Sequence, residues 1–390
     1  MSWPLVNLST ICQIDMGSAP KGSTYVELDS GVPLIAGAAD YGDVFPRPKK
    51  ATLEPTKLCK KGDIIICVRA TIGDLNWADK EYCLGRGVAG LRVHDEKLDS
   101  KYLWYFIASI EDELYRNSTG STFPQINKKV IESLEIPLPP LETQKQIAAV
   151  LEEADQLRKD CQQMEQELNS LAQSVFIDMF GDPVTNPKGW DKRPLLELVA
   201  DKDDIKCGPF GTQLGKSEFT TEGVPLWGIK HVNSGFEKPT VEYVSHEKAL
   251  DLKAYSIVGG DIVMTRKGNV GNCYIYPDNL QSGIMHSDLL RIRPCSSTVS
   301  ASFLQKQFMY SKDVEGQLKL ISQGAIMAGI NVTKLKSLML LSPPLEEQKE
   351  YEKFLSEVET NKITSAHRLS ESNNMFNALM QKAFKGELNL

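Results

Sequence analysis

Several runs in this chain come close to known chemistry and miss it by one residue or one spacing. Ser342-Pro343-Pro344-Leu345 approaches the pattern in which a polar residue, two prolines and an aromatic ring clamp a flipped base for methylation. Here the stacking ring is a leucine, and the matching run Leu138-Pro139-Pro140-Leu141 lacks the polar residue as well, so both read better as helix starts. Gly211-Thr212-Gln213-Leu214-Gly215-Lys216-Ser217 puts three residues between its glycines where a phosphate cradle needs four. His94, His231, His246, His286 and His367 have no metal-ligand spacing. Eight cysteines (Cys12, Cys59, Cys67, Cys83, Cys161, Cys207, Cys273 and Cys295) contain no CxxC pair and read as reduced, buried thiols. No glycine-rich dinucleotide fingerprint opens a helix, and no Pro-Asp...Asp/Glu-x-Lys cluster of a nuclease is present. These residues predict a chain with no catalytic machinery, metal or cofactor of its own.

The elements that carry these residues are doubled. Pro139-Pro140-Leu141-Glu142-Thr143-Gln144-Lys145 returns as Pro343-Pro344-Leu345-Glu346-Glu347-Gln348-Lys349, at an offset of 204. The match runs back without a gap to Ser118 and Ser322, with 12 identities in 28 positions. A period this long means two copies of a whole domain and excludes a solenoid. Gly31-Val32-Pro33-Leu34 also returns as Gly223-Val224-Pro225-Leu226, and Lys61-Gly62-Asp63-Ile64-Ile65 as Gly259-Gly260-Asp261-Ile262-Val263, at offsets of 192 and 198. Loop lengths therefore differ while the frame persists. Each copy reads as short β-favouring runs bounded by Gly, Pro and Asp, with one helix expected over Lys101 to Tyr115 in the first. After each Pro-Pro step a long polar helix follows.

In the first long helix Ile147, Val150, Ala154, Leu157, Cys161, Met164, Leu168, Leu171 and Val175 alternate spacings of three and four. That is the seam of a helix laid along a partner helix. The second keeps Tyr351, Phe354 and Val358, then offers Asn361, Ser365, Arg368 and Ser372 before Met375 and Leu379, which predicts a polar middle. The fold expected is α+β: two similar strand-rich domains joined by two long antiparallel helices with pseudo-two-fold symmetry. The domains are expected at 1–140 and 181–344, and the helices at 141–180 and 345–390.

Composition agrees with two ordinary cores: 390 residues, 41% hydrophobic and 24% charged. No signal pattern opens the chain, and its longest strongly apolar run, Ile64 to Val68, is too short to span a bilayer. A cytoplasmic protein without a membrane partner is expected. The net charge of −7 sits mostly in the helices, where residues 141–180 carry eight acids and three bases, and 345–384 seven acids and five bases. The globular parts are close to neutral and free to present basic faces, while the whole chain is a poor non-specific polyanion binder.

The doubled PPLExQK with its helix, preceded each time by a Gly...Ile-Asn stretch, resembles the specificity subunit of type I restriction-modification systems. Gly17-Ser18-Ala19-Pro20 before Gly31-Val32-Pro33, and Gly208-Pro209-Phe210-Gly211 before Gly223-Val224-Pro225, fit as well. The resemblance covers essentially the whole chain. It implies two target recognition domains that each read half of a split, asymmetric site on double-stranded DNA, and a helix pair that spaces them. It also implies two methyltransferase subunits and motor-nuclease subunits as partners, with S-adenosylmethionine, ATP and Mg used by those partners alone. Two alternatives stay open: a coiled-coil scaffold that never touches DNA, and a self-contained DNA-modifying enzyme.

Side chains that reach phosphates and base edges are sought on glycine-bounded loops. In the first copy these are Lys21, Ser23, Arg69, Thr71, Arg86, Thr122 and Lys128. In the second they are Thr212, Gln213, Lys216, Lys230 and His231, together with Arg266, Lys267 and Asn269, which occupy the place of Arg69 to Ile72. For the subunit interface the candidates are Asn127, Glu142, Gln144 and Lys145, and their counterparts Asn331, Glu346, Gln348 and Lys349. A purely structural role for the two asparagines, in bonding a turn that positions the helix, is the competing expectation.

Overall fold

A computed structural model describes residues 3–94, 96–120, 124–182, 184–268, 270–322 and 329–388. The chain divides into two compact units, Met1–Gln163 with Ala366–Leu390, and Met164–Ser365. The boundaries fall inside both long helices, Leu141–Phe180 and Leu345–Lys385, each about 60 Å long at 1.5 Å per residue. Each unit thus holds one globular domain, half of one helix and half of the other. The start of one helix shares a unit with the end of the other, so the two run antiparallel.

In the first unit a four-stranded antiparallel sheet has the order Cys12–Met16, Val88–Val93, Ile64–Cys67, Leu75–Trp77. The run Ile64-Ile65-Ile66-Cys67 is buried throughout because both faces of its strand are covered. Successive side chains point to opposite faces of a strand. Ile64 and Ile66 therefore enter the core shared with the helices, while Ile65 joins Ile35, Tyr82 and Leu84 beneath a second sheet. That second sheet is ordered Tyr25–Val26, Lys50–Thr52, Val32–Ile35, Tyr82–Leu84, Leu58–Cys59, with one parallel pairing, Val32–Ile35 on Tyr82–Leu84. A short ribbon, Leu5–Asn7 on Glu135–Pro137, closes the domain just before the first long helix.

The second unit repeats this plan. Its sheet Ile205–Cys207, Leu289–Ile292, Ile262–Thr265, Cys273–Ile275 has the same order. Val224–Trp227 pairs in parallel with Gly283–Met285, and the ribbon is Lys192–Pro194 on Met339–Leu341. The helix expected over Lys101 to Tyr115 is two helices, Ser100–Ser109 and Glu111–Arg116, with the break at Ile110.

The long helices bury less of the expected seam than its regular spacing implies. Ile147 and Ala154 are buried, but Leu157, Met164 and Leu171 remain 48%, 45% and 45% exposed. Burial turns instead to Ala148 and Leu151 at one end and to Ala172, Phe176 and Phe180 at the other. A straight helix drifts about 20° per heptad from a strict seven-residue repeat, and each end is also claimed by the core of its own unit. Ile147, Ala148, Leu151 and Ala154 cluster with Phe376, Met380 and Ala383 in the first unit. Phe176 and Phe180 meet Tyr351 at ring-centroid distances of 5.6 and 5.5 Å in the second. The second helix follows its heptads more closely: Tyr351, Val358, Ser365 and Ser372, seven residues apart, are all buried. Its buried middle is polar, as its sequence predicts.

Candidate nucleic-acid interface

The repeated junction is built around a buried glutamine. Gln144 is fully enclosed; its Oε1 accepts from Asp99 N–H at 2.9 Å, and its Nε2 donates to the carbonyls of Lys97 and Pro139 at 3.0 and 2.8 Å. Gln348 does the same with Ser300 N–H at 2.9 Å and the Pro343 carbonyl at 2.8 Å. Asp99 and Ser300 are the N-caps of the domain helices Ser100–Ser109 and Ala301–Tyr310. Each glutamine thus satisfies the backbone N–H of a cap residue, the job that a capping box assigns to a residue of the same helix. This corrects the interface assignment of both glutamines, since neither reaches the surface. Asn127 and Asn331 are exposed N-caps, accepting from Val130 N–H and from Thr333 and Lys334 N–H, in line with their structural alternative. Glu142 and Lys145, and Glu346 and Lys349, stay outside as ion pairs of 2.8 and 3.2 Å.

In each globular domain several of the candidate loops are tied to one another by backbone hydrogen bonds. In the first unit the segment after Ile64–Cys67 is bounded on two sides: Val68 N–H donates to the Gly87 carbonyl, and Ile126 N–H donates to that of Val68. Gly17 N–H donates to the Val88 carbonyl, and a Cβ on Gly17 would lie 2.0 Å from the Gly85 oxygen, so only glycine fits there. The loops bearing Arg69, Thr71 and Arg86 are therefore neighbours, and the chain leaves Gly17 toward Lys21 and Ser23. Arg86, Thr71, Lys21 and Ser23 are exposed and Arg69 is half-buried. Lys128 is exposed and pairs with Glu132 at 3.4 Å, one helix turn on.

The second unit repeats these bonds residue for residue. Arg266 N–H donates to the Asp288 carbonyl, Ile330 N–H to that of Arg266, and Gly208 N–H to that of Leu289. A Cβ on Gly208 would meet the His286 oxygen at 2.1 Å. By these bonds Lys267 stands where Arg69 does, and Arg266 where Val68 does. Ala70 and Gly268, at φ +60° and +74°, share the left-handed position of the turn. Arg266 is less free than its type suggests: its Nε donates to the Ile330 carbonyl at 3.2 Å, and its guanidinium lies 5.6 Å over the exposed ring of Phe210. Lys267 Nζ is 2.7 Å from Asp288 Oδ1. Gln213 is half-committed, its Oε1 accepting from Phe210 N–H and the Tyr255 hydroxyl, while Thr212, Lys216 and Lys230 are exposed.

His231 is the other correction. It is completely buried, edge-on to Trp227 with centroids 4.9 Å apart, and its Nδ1 accepts from Gly228 N–H at 2.9 Å. Burial holds its pKa below 6.5, so it is a neutral core residue that folds the Lys230 turn and does not touch a surface ligand. Thr122 and Asn269 lie outside the described residues. Sequence reasoning missed Phe210, His286, Ser287 and Asp288. Matching Leu84-Gly85-Arg86-Gly87-Val88 to Met285-His286-Ser287-Asp288-Leu289, at an offset of 201, finds the last three. Among the described residues no helix is long and apolar enough to cross a membrane.

Two sets of cationic and polar side chains, each on loops at the ends of sheet strands, suit contact with phosphates and base edges. The comparisons with known proteins point the same way. The chain is 39% identical over 169 residues to the MjaX protein of Methanocaldococcus jannaschii, described provisionally as a type I restriction enzyme specificity subunit; that match spans 42% of this chain and 40% of that protein. It is 24% identical over 359 residues to the type I restriction enzyme MjaVIII specificity subunit of the same organism, covering 89% of this chain and 84% of the relative. The fold is similar to that of the S subunit of a type I restriction-modification system from M. genitalium, with a TM-score of 0.58 and 16% identity over 98% of this chain and 96% of that one. The family model for the type I restriction modification DNA specificity domain matches residues 2–170 and again residues 187–372, one match for each globular half, and this chain belongs to that family.

Proposed function

We propose that each globular half reads one part of a split, asymmetric DNA target. In this reading the chain docks two methyltransferase subunits and, through them, motor-nuclease subunits. It contributes no chemistry of its own; S-adenosylmethionine, ATP and Mg are used by the partner subunits. The observation that carries this is the paired loop cluster, Arg69 with Arg86 in one unit and Arg266 with Lys267 in the other, held by the same backbone hydrogen bonds. Two copies of one frame with different side chains suit two different half-sites. Two copies of one exposed junction, Glu142 with Lys145 and Glu346 with Lys349, suit two copies of one partner.

The test is an exchange. Residues 195–341 are replaced by the matching half of another family member, the chain is co-expressed with its methyltransferase subunit, and methylated adenines are mapped. Only one half of the methylated sequence is expected to change. A change in both halves, or in neither, defeats the modular reading. A complex that shifts no DNA in an electrophoretic assay leaves the scaffold alternative standing.

A further inference from the structure

The two units share the hydrogen bonds that hold their loop ends and differ in the side chains of one turn. In the first unit this turn is Gly85-Arg86-Gly87, between strands Tyr82–Leu84 and Val88–Val93. A Cβ on Gly87 would lie 2.2 Å from the Ala36 carbonyl oxygen, and one on Gly85 2.9 Å from that of Ile35. Both flanks must therefore be glycine, and Arg86 is the one side chain that the turn presents. It is exposed, and among the described residues no ion pair or side-chain hydrogen bond holds it. In the second unit the turn is His286-Ser287-Asp288. Asp288 Oδ1 lies 2.7 Å from Lys267 Nζ, and Oδ2 lies 3.4 Å from His286 Nδ1.

These turns are chemically opposite. A guanidinium only donates hydrogen bonds, whereas a carboxylate only accepts them. Guanine offers the acceptors O6 and N7 in the major groove, and cytosine and adenine each offer an exocyclic amino donor there. Lys267 ends a flexible stem and its side chain is 42% exposed. A DNA phosphate beside it competes for its charge, and Asp288 is then left needing a donor.

We propose that this turn reads a base in both units, with Arg86 donating to a guanine edge in the first and, one place further on at the position of Gly87, Asp288 accepting from the exocyclic amino group of a cytosine or adenine in the second. The assignment rests on the reading that both halves contact DNA. In the test, the full-length chain with its co-expressed methyltransferase subunit selects from a randomised double-stranded DNA library. Low salt keeps phosphate contacts strong enough to hold weakened variants on the DNA. Arg86→Gln is expected to lose discrimination at one base pair of one half-site, and Asp288→Asn at one base pair of the other. Each loss should be roughly ten- to a hundredfold, the worth of one good base contact, with the wild-type melting temperature retained. Variants that select the wild-type sequence, or that weaken every sequence alike, overturn the assignment and leave the DNA-reading function intact. A wild-type complex that enriches no split sequence overturns that function, and the assignment with it.

Discussion

Gln144 and Gln348 each use a single amide to tie a long helix to the globular domain before it. Their sequence context gives no hint of burial, because the flanking Glu and Lys are exposed and paired. The folded chain encloses the amide between a proline carbonyl and a helix cap, so each loses its partners together if truncated. Gln144→Ala strands the Asp99 N–H and the Lys97 and Pro139 carbonyls, and Gln348→Ala the Ser300 N–H and the Pro343 carbonyl, at about 1–3 kcal/mol for each buried group left without a partner. Urea unfolding of the two variants should show losses of that size, and a variant as stable as the wild type would remove the clasp from the account. His231 teaches the same lesson. A histidine beside a lysine on a glycine-bounded turn looks like a DNA contact in the sequence, yet Trp227 and Phe236 close over that turn and bury it.

At the scale of elements, the seven-residue spacing of Tyr351, Val358, Ser365 and Ser372 decides which face of the second long helix is buried, and it puts two serines there. The Ser372 hydroxyl has no hydrogen-bond partner among the described residues. Ser372→Ala removes an unsatisfied buried polar atom and improves helix propensity, so stability should rise by about 1 kcal/mol. Thermal unfolding checks this; a fall in melting temperature would mean that the hydroxyl is satisfied. The first helix carries the opposite message. Its apolar seam is regular in sequence, yet Leu157, Met164 and Leu171 stay exposed because the ends of the helix, from Ile147 to Ala154 and from Ala172 to Phe180, are drawn into the domain cores. Periodicity located the helix correctly. It did not reveal how two domain cores would divide its faces.

For the whole molecule, two domains joined by two long helices make helix length a ruler between half-sites in the proposed function. Inserting one helical turn, about 5.4 Å, into the middle of both helices should lengthen the gap between the two halves of the methylated sequence. An unchanged gap in the methylation map would show that the helices do not set it. The duplication, the two long helices with their starts at Leu141 and Leu345, the strand-rich halves and the polar middle of the second helix were all legible in the residues, because local propensity and repeated motifs determine them. The candidate site was legible only as a set of loops. Whether a side chain on such a loop is exposed, as Arg86 is, tied down, as Arg266 is, or enclosed, as His231 and Gln144 are, depends on chain segments that lie far away in sequence. The sequence by itself determined which elements form and that they form twice. Only the tertiary structure decided which polar groups those elements leave in water, because burial arises from packing between segments that no local pattern records.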